Sequence, residues 1–405
     1  MTIVLYCQYV WGMGHLFRSL ELARALSGHR VVLVAGGQEV ALDLPGHVEL
    51  VRLPALFMDE HFTTLIPGVA GRSVEAIQRQ RREALAALFE RSRPEIFIVE
   101  LYPFGRTAFG FELEPLLAAT RGRVRTVCSL RDVLVEKRDA PAYEARVVEA
   151  LNRWFDLLLI HSDERLLPLD DTFSRVGDIR VPKVYTGFVA PRPDPDKGRE
   201  LRRDLGLAPG QKLVVASSGG GRAGYRLLKP VLAACRRLQS RLGVRLALFT
   251  GPFMADAEFN DLQAEAGEGL VVQRFTPRFL DYLSAADLSI SLAGYNTCMN
   301  LLATGVPALV LPYARQREQP LRVERLKPCL PLMILSEGAL APERLASAIE
   351  SGRRRKPRPG PPPVDLDGAA RTARSSAAVW ARVRARTSSS RSPVGATAMR
   401  STVTR

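Results

Sequence analysis

Short, continuous apolar runs alternate with helical patterns along most of this chain, and no other feature restricts its fold as strongly. Ile3–Tyr6, Val31–Ala35, Glu95–Val99, Arg125–Cys128 and Leu157–Ile160 each read as a strand followed by a helical or loop segment. Runs that stay apolar on both faces belong to parallel sheets covered by helices on each side. The pattern breaks at Ala190-Pro191-Arg192-Pro193-Asp194-Pro195-Asp196, where proline stops both a helix and a central strand. It then restarts with Lys212–Ala216, Arg245–Phe249, Leu288–Ser291 and Ala308–Leu311 as strands. The segment from about Tyr225 to Leu242 carries a helical stripe of Leu228, Val231, Leu232, Cys235 and Leu238. Two Rossmann-like α/β halves are expected, residues 1–188 and 212–350, joined by a linker at 189–211. A basic, Pro-rich segment follows at 351–387, with one more helix expected from Asp365 to about Arg386. Residues 388–405 are expected to be disordered.

Charge adds less than it first suggests. The chain carries a net charge of +15, but residues 353–405 hold thirteen basic against two acidic side chains, leaving only +4 for the rest. A basic tail of this kind is a solvated appendage that can lean weakly on an anionic membrane surface, and no specific nucleic-acid partner is expected. The first residues read as a buried strand rather than a signal peptide, and no run approaches the ~18 apolar residues of a membrane span. A cytoplasmic protein is expected, with peripheral contact at the inner membrane face as the variant the tail suggests. Cys7, Cys128, Cys235, Cys298 and Cys329 are far apart in the sequence and fit neither a zinc site nor a disulfide framework.

Two strand-to-helix turns are rich in glycine. Gly12-Met13-Gly14-His15-Leu16-Phe17-Arg18 follows the first strand and places His15 near a helix start, at the sheet edge where α/β proteins bind ligands. A plain tight turn with a surface histidine is the alternative. Glu100 and Asp132 each end a strand and could act as a base or orient His15, or be solvated loop charges. The second turn, Ser217-Ser218-Gly219-Gly220-Gly221-Arg222-Ala223-Gly224, offers backbone N–H groups to a phosphate. It also satisfies a dinucleotide pattern, but the first acid after the next strand is Asp256, so the ribose-binding requirement fails. An unliganded interdomain turn remains the other reading.

Ser291-Leu292-Ala293-Gly294-Tyr295-Asn296-Thr297, followed by a short helix and Gly305-Val306-Pro307, resembles the MurG-like glycosyltransferases, particularly those with a GGYNT signature. The resemblance runs through most of residues 1–345 and includes Gly12–His15, Pro103-Phe104-Gly105, Arg131-Asp132, the triple glycine and Arg315–Gln319. It implies a GT-B fold and a nucleotide diphosphate sugar donor, UDP-linked, held by the C-terminal half. Gly219, Gly220, Gly221 and Arg222 would meet the diphosphate, and Gly294, Tyr295, Asn296 and Thr297 the phosphate and sugar. Phe275 would border the base, and Gln319 the sugar hydroxyls. His15, with Glu100 or Asp132, would serve the acceptor side as base or transition-state stabiliser. Gly12, Gly14, Arg18 and Arg131 would form an acceptor and phosphate loop. No metal or other cofactor is implied. The acceptor stays open among a glycan, a lipid-linked molecule and a small molecule. Asn300 stands where the family usually has a ribose-binding glutamate, and Ala293 where the signature has glycine. An epimerase or hydrolase on the same scaffold, or a non-catalytic nucleotide-sugar binder, is the alternative.

Overall fold

The apolar runs form the central strands of two parallel sheets. The computed structural model describes residues 1–10, 13–59, 64–135, 139–220, 223–313 and 317–376. The first sheet contains β1 (Thr2–Cys7), β2 (Arg30–Ala35) and β3 (Val48–Arg52), and a small antiparallel hairpin of β4 (Leu56–Met58) and β5 (Leu65–Pro67) branches off after it. It continues with β6 (Ile96–Glu100), β7 (Arg125–Arg131), β8 (Leu157–His161) and β9 (Lys183–Tyr185), in the order β3-β2-β1-β6-β7-β8-β9. The second sheet holds β10 (Leu213–Ser217), β11 (Arg245–Phe249), β12 (Leu270–Gln273), β13 (Leu288–Leu292), β14 (Ala308–Leu311) and β15 (Leu332–Ile334). Its order is β12-β11-β10-β13-β14-β15.

Alternate side chains of one strand enter different cores, which is why the runs are apolar throughout. In β1, Ile3 and Leu5 pack with Leu16, Leu20 and Ala23 of the helix Gly14–Ala25, while Val4 and Tyr6 join Leu85 and Leu88 on the opposite face. Strand order reverses between β1 and β6 and again between β10 and β13. These are the switch points at which open α/β sheets leave a crevice beyond their carboxyl ends.

Within the stretch expected as linker, Pro195–Asp204 forms a helix capped by Asp194, and its Leu201 is buried in the C-terminal core. The chain later returns to the first half. Phe188 N–H donates to the Asp365 carbonyl at 2.7 Å and Gly368 N–H to the Phe188 carbonyl at 3.0 Å. Residues 368–376 are helical, with Ala369 and Ala373 against the first sheet's core. A Cβ on Gly368 would lie 2.4 Å from the Gly187 carbonyl oxygen, so only glycine permits this approach. The expected helix beyond 376 and the tail 388–405 fall outside the described residues. All five cysteines are buried and unpaired.

Candidate functional site

The N-terminal wall of the cleft is built where β1 and β6 end side by side. His15 lies on the first turn of the helix after β1, its side chain 14% exposed, and its Nδ1 is 2.8 Å from Oε1 of Glu100. Glu100 is the last residue of β6 and is fully buried; the chain then leaves the strand through Leu101 at φ +67°. Arg18, one turn beyond His15 and almost fully buried, also donates to Glu100 Oε1. Burial pushes the His15 imidazole down to about 4, and the nearby Glu100 only partly opposes that. Burial raises the Glu100 carboxyl, but His15 and Arg18 outweigh it and bring it down to about 2. Near neutral pH the carboxylate is therefore ionised and the imidazole neutral. An ionised carboxylate only accepts, so Nδ1 carries the ring proton and Nε2 presents a lone pair.

Asp132 does not share this role. Both of its oxygens are held by Arg322 from the second half, with Nη2 at 2.8 Å from Oδ1, and both residues are buried. Arg322 also reaches Glu318 at 2.8 Å, and Glu318 reaches Arg131 at 2.6 Å. Arg131 and Arg18, expected on a phosphate loop, are thus each committed to a carboxylate. Arg322 and Glu318 were not singled out from the sequence, although their i, i+4 spacing on the helix Glu318–Leu326 was a readable signal.

Among the described residues, the C-terminal wall carries backbone donors. Gly219 has φ +66°, Ser218 Oγ donates to the Thr250 carbonyl at 2.7 Å, and the Gly220 carbonyl accepts from Phe253 N–H at 3.0 Å. Gly221 and Arg222, like Gly12 in the first turn and Arg315 later, lie outside the described residues. Gly294 caps the helix Tyr295–Thr304 and lies beside Thr297. Asn296 Nδ2 donates to the Gly14 carbonyl at 3.0 Å, which brings the two helix starts together across the cleft. Asn300 is half-buried on the same helix, and among the described residues its amide forms no hydrogen bond.

Three residues expected at the donor have partners within the protein. Tyr295 is buried, with its hydroxyl accepting from Val189 N–H at 3.0 Å and donating to the His161 carbonyl at 3.2 Å. Its ring lies between the guanidinium groups of Arg18 and Arg322, at 5.2 and 5.7 Å, so it joins the two halves. Gln319 Oε1 accepts from Tyr313 N–H at 2.9 Å, which ties down the loop after β14. Phe275 is exposed and stacks on Phe17 from the other half, centroids 6.3 Å apart.

Three described helix starts have neither a side-chain cap nor an acid in the first turn: Gly14–Ala25, Tyr225–Leu242 and Tyr295–Thr304. Each follows the carboxyl end of β1, β10 or β13, the strands at the two switch points. The α-helices that start at Val74, Gly110, Ala140, Pro195, Asp256, Phe279, Glu318 and Pro342 have a capping side chain or a first-turn acid, as with Ser73, Asp139 and Asp194. Open N–H donors and a positive dipole end attract anions, so this crevice favours a negatively charged ligand.

Residues 219–365 match the glycosyltransferase family 28 C-terminal domain. The UDP-N-acetylglucosamine--N-acetylmuramyl-(pentapeptide) pyrophosphoryl-undecaprenol N-acetylglucosamine transferase of Synechococcus sp. (strain CC9902) is 26% identical over 310 residues, 76% of this chain and 75% of that protein. Over most of its length this chain is similar to the MurG-like glycosyltransferases. The enzyme of the same name from Bacillus licheniformis is 30% identical over 157 residues, a match spanning 38% of this chain and only 42% of that protein. Among solved structures, Acinetobacter baumannii MurG superposes with a TM-score of 0.51 at 14% identity, covering 95% and 99% of the two chains. Phytolacca americana UGT2 complexed with UDP-2fluoro-glucose and pterostilbene gives 0.55 at 15%, covering 96% and 98%. These likenesses establish the GT-B fold of this chain. Among its described residues no helix is long and apolar enough to cross a membrane.

Proposed function

We propose that this protein transfers a hexose or N-acetylhexosamine from a UDP-sugar to an acceptor hydroxyl, with His15 as the base. The observation that carries the reading is the His15–Glu100 pair facing uncapped helix starts across the cleft. Glu100 holds the ring proton on Nδ1, and Nε2 takes the proton from the acceptor hydroxyl as its oxygen attacks the anomeric carbon. The bond from that carbon to the diphosphate oxygen breaks, and the leaving UDP carries away the electron pair. Backbone donors of the glycine turn and of the helix starting at Tyr295 stabilise the charge that develops on it. Asn300 offers an uncommitted amide to the ribose, and the Phe17–Phe275 stack offers the base an apolar border. Relatives named for a lipid-linked substrate favour a lipid-linked or glycan hydroxyl as acceptor.

Release of UDP from UDP-glucose and UDP-N-acetylglucosamine, measured with and without a panel of lipid-linked and soluble glycan acceptors, tests the reading. Acceptor-dependent release, abolished by His15→Ala, is expected. Equal turnover without any acceptor would point instead to a hydrolase or epimerase, and binding without turnover to a nucleotide-sugar receptor.

A further inference from the structure

The second half of the chain sends one fully buried cation into the seam beside the His15–Glu100 pair. Arg322 sits on the helix Glu318–Leu326, has no solvent exposure, and grips Asp132 of the first half with two nitrogens. Its third hydrogen-bonded group, Nη1, donates to the Ala293 carbonyl at 3.2 Å, fixing the residue before the turn that starts the helix Tyr295–Thr304. Its guanidinium carbon stands 5.7 Å from the Tyr295 ring centroid. On that ring stands Arg18 at 5.2 Å, and Arg18 shares Glu100 Oε1 with His15. A chain of buried groups thus runs from the second half to the imidazole: Asp132, Arg322, Tyr295, Arg18, Glu100 and His15.

We infer that Arg322 is a positioning residue for His15, holding the base in its buried, correctly oriented state only while the two halves are docked. This rests on the reading of His15 as the base. The physical reason lies in where each part comes from. Glu100, Arg18 and His15 all belong to the first half, but the ring packed over the Arg18 guanidinium belongs to Tyr295 of the second. Tyr295 is held from two sides. Its hydroxyl is anchored to His161 and Val189 of the first half, and its ring is clamped by the two guanidiniums. Arg322 is bonded to both halves at once and so fixes that clamp. A lysine there could supply the charge but neither the fork to Asp132 nor the planar face over the ring.

The test reads the His15 ring directly, in the full-length protein and without a sugar acceptor, so its outcome is separate from whether glycosyl transfer is the activity. Removing Arg322 alone would strand the buried Asp132 charge and risk the fold. The informative variant is therefore Arg322→Met/Asp132→Leu, which removes one charge of each sign. Glu318 keeps Arg131 as partner, and the groups acting on His15 (Glu100, Arg18, Arg106 and Glu318) are all retained. Histidine rings are labelled with carbon-13 and titrated by NMR, with His15 assigned from its loss in His15→Ala. In the unaltered protein His15 stays neutral until the pH nears 4. In the double variant, with circular dichroism unchanged, hydration of the loosened seam moves its titration upward by about one pH unit or more. An unmoved His15 in the folded double variant overturns the inference. If that variant does not fold, Arg322→Lys takes its place. A smaller upward shift there supports the positioning role, and no shift overturns it.

Discussion

The three helices that begin after β1, β10 and β13 and the other, capped helices are built by opposite rules. In the others the starts are closed: Ser73 accepts from Ala76 N–H, Asp139 from Ala142 N–H, and first-turn acids such as Glu75 add favourable charge. At the switch points the starts after β1, β10 and β13 are left open, at a cost of about 1 kcal/mol each in lost capping. A fold that satisfies its helix ends wherever it can, yet leaves these three open, reserves them for a ligand. The two walls then divide the work. The C-terminal wall offers backbone donors suited to a diphosphate, and the N-terminal wall adds one buried acid–base pair.

The comparison can be broken in several ways. The largest effect is expected from His15→Ala, which removes the proton acceptor and lowers turnover by about 10²–10⁴-fold, with UDP affinity unchanged by calorimetry. Next comes Asn296→Asp, which closes a cleft helix start with a carboxylate. Like-charge juxtaposition should weaken UDP binding about tenfold or more, while loss of the amide's bond to the Gly14 carbonyl costs only about 1 kcal/mol of stability. The converse change, Ser73→Ala at an outer start, should cost about 1 kcal/mol in urea unfolding and leave UDP binding untouched. If the outer deletion changed binding, or the cleft acid did not, the distinction between the two kinds of helix start would fail.

The pH dependence sharpens the same point with the smallest effect near neutrality. A base held down to about 4 is already neutral at pH 6, so turnover per bound substrate should be flat from pH 8 to about 5.5. It should then fall as the pH approaches 4 and the imidazole gains its proton. The stability linkage runs the same way. The unfolded histidine, with an ordinary value near ~6.5, binds a proton that the folded one refuses, so this residue makes the fold less stable as pH drops below that value. A limb in the pH–rate profile near 6.5 would show His15 to be solvated rather than buried against Glu100.

Much of this architecture was legible because buried parallel strands announce themselves as apolar runs. The edge strands were not. Leu270–Gln273 alternates buried and exposed positions, Val48–Arg52 is mostly half-buried, and both look no different from loops carrying a few apolar residues. At the site, both glycine turns could be placed, but Glu100 and Asp132 could not be told apart, since each is an acid at a strand end. Strand order decides between them. β6 lies directly beside β1, which feeds the His15 helix, whereas β7 is one strand further away, about 4.8 Å across the sheet. Tyr295 shows the opposite difficulty. The signature around it suggests ligand contact, but an aromatic ring beside two arginines from distant segments becomes a seam between domains. No local pattern encodes Arg18 and Arg322 meeting across one ring.

The most direct test of the divided cleft is calorimetric titration of UDP into the unaltered protein and into His15→Ala. Binding at one site per chain with the same affinity in both, alongside lost turnover in the variant, is the predicted result. Absence of UDP binding in the unaltered protein, or its loss in His15→Ala, would contradict the assignment of donor and base to opposite walls.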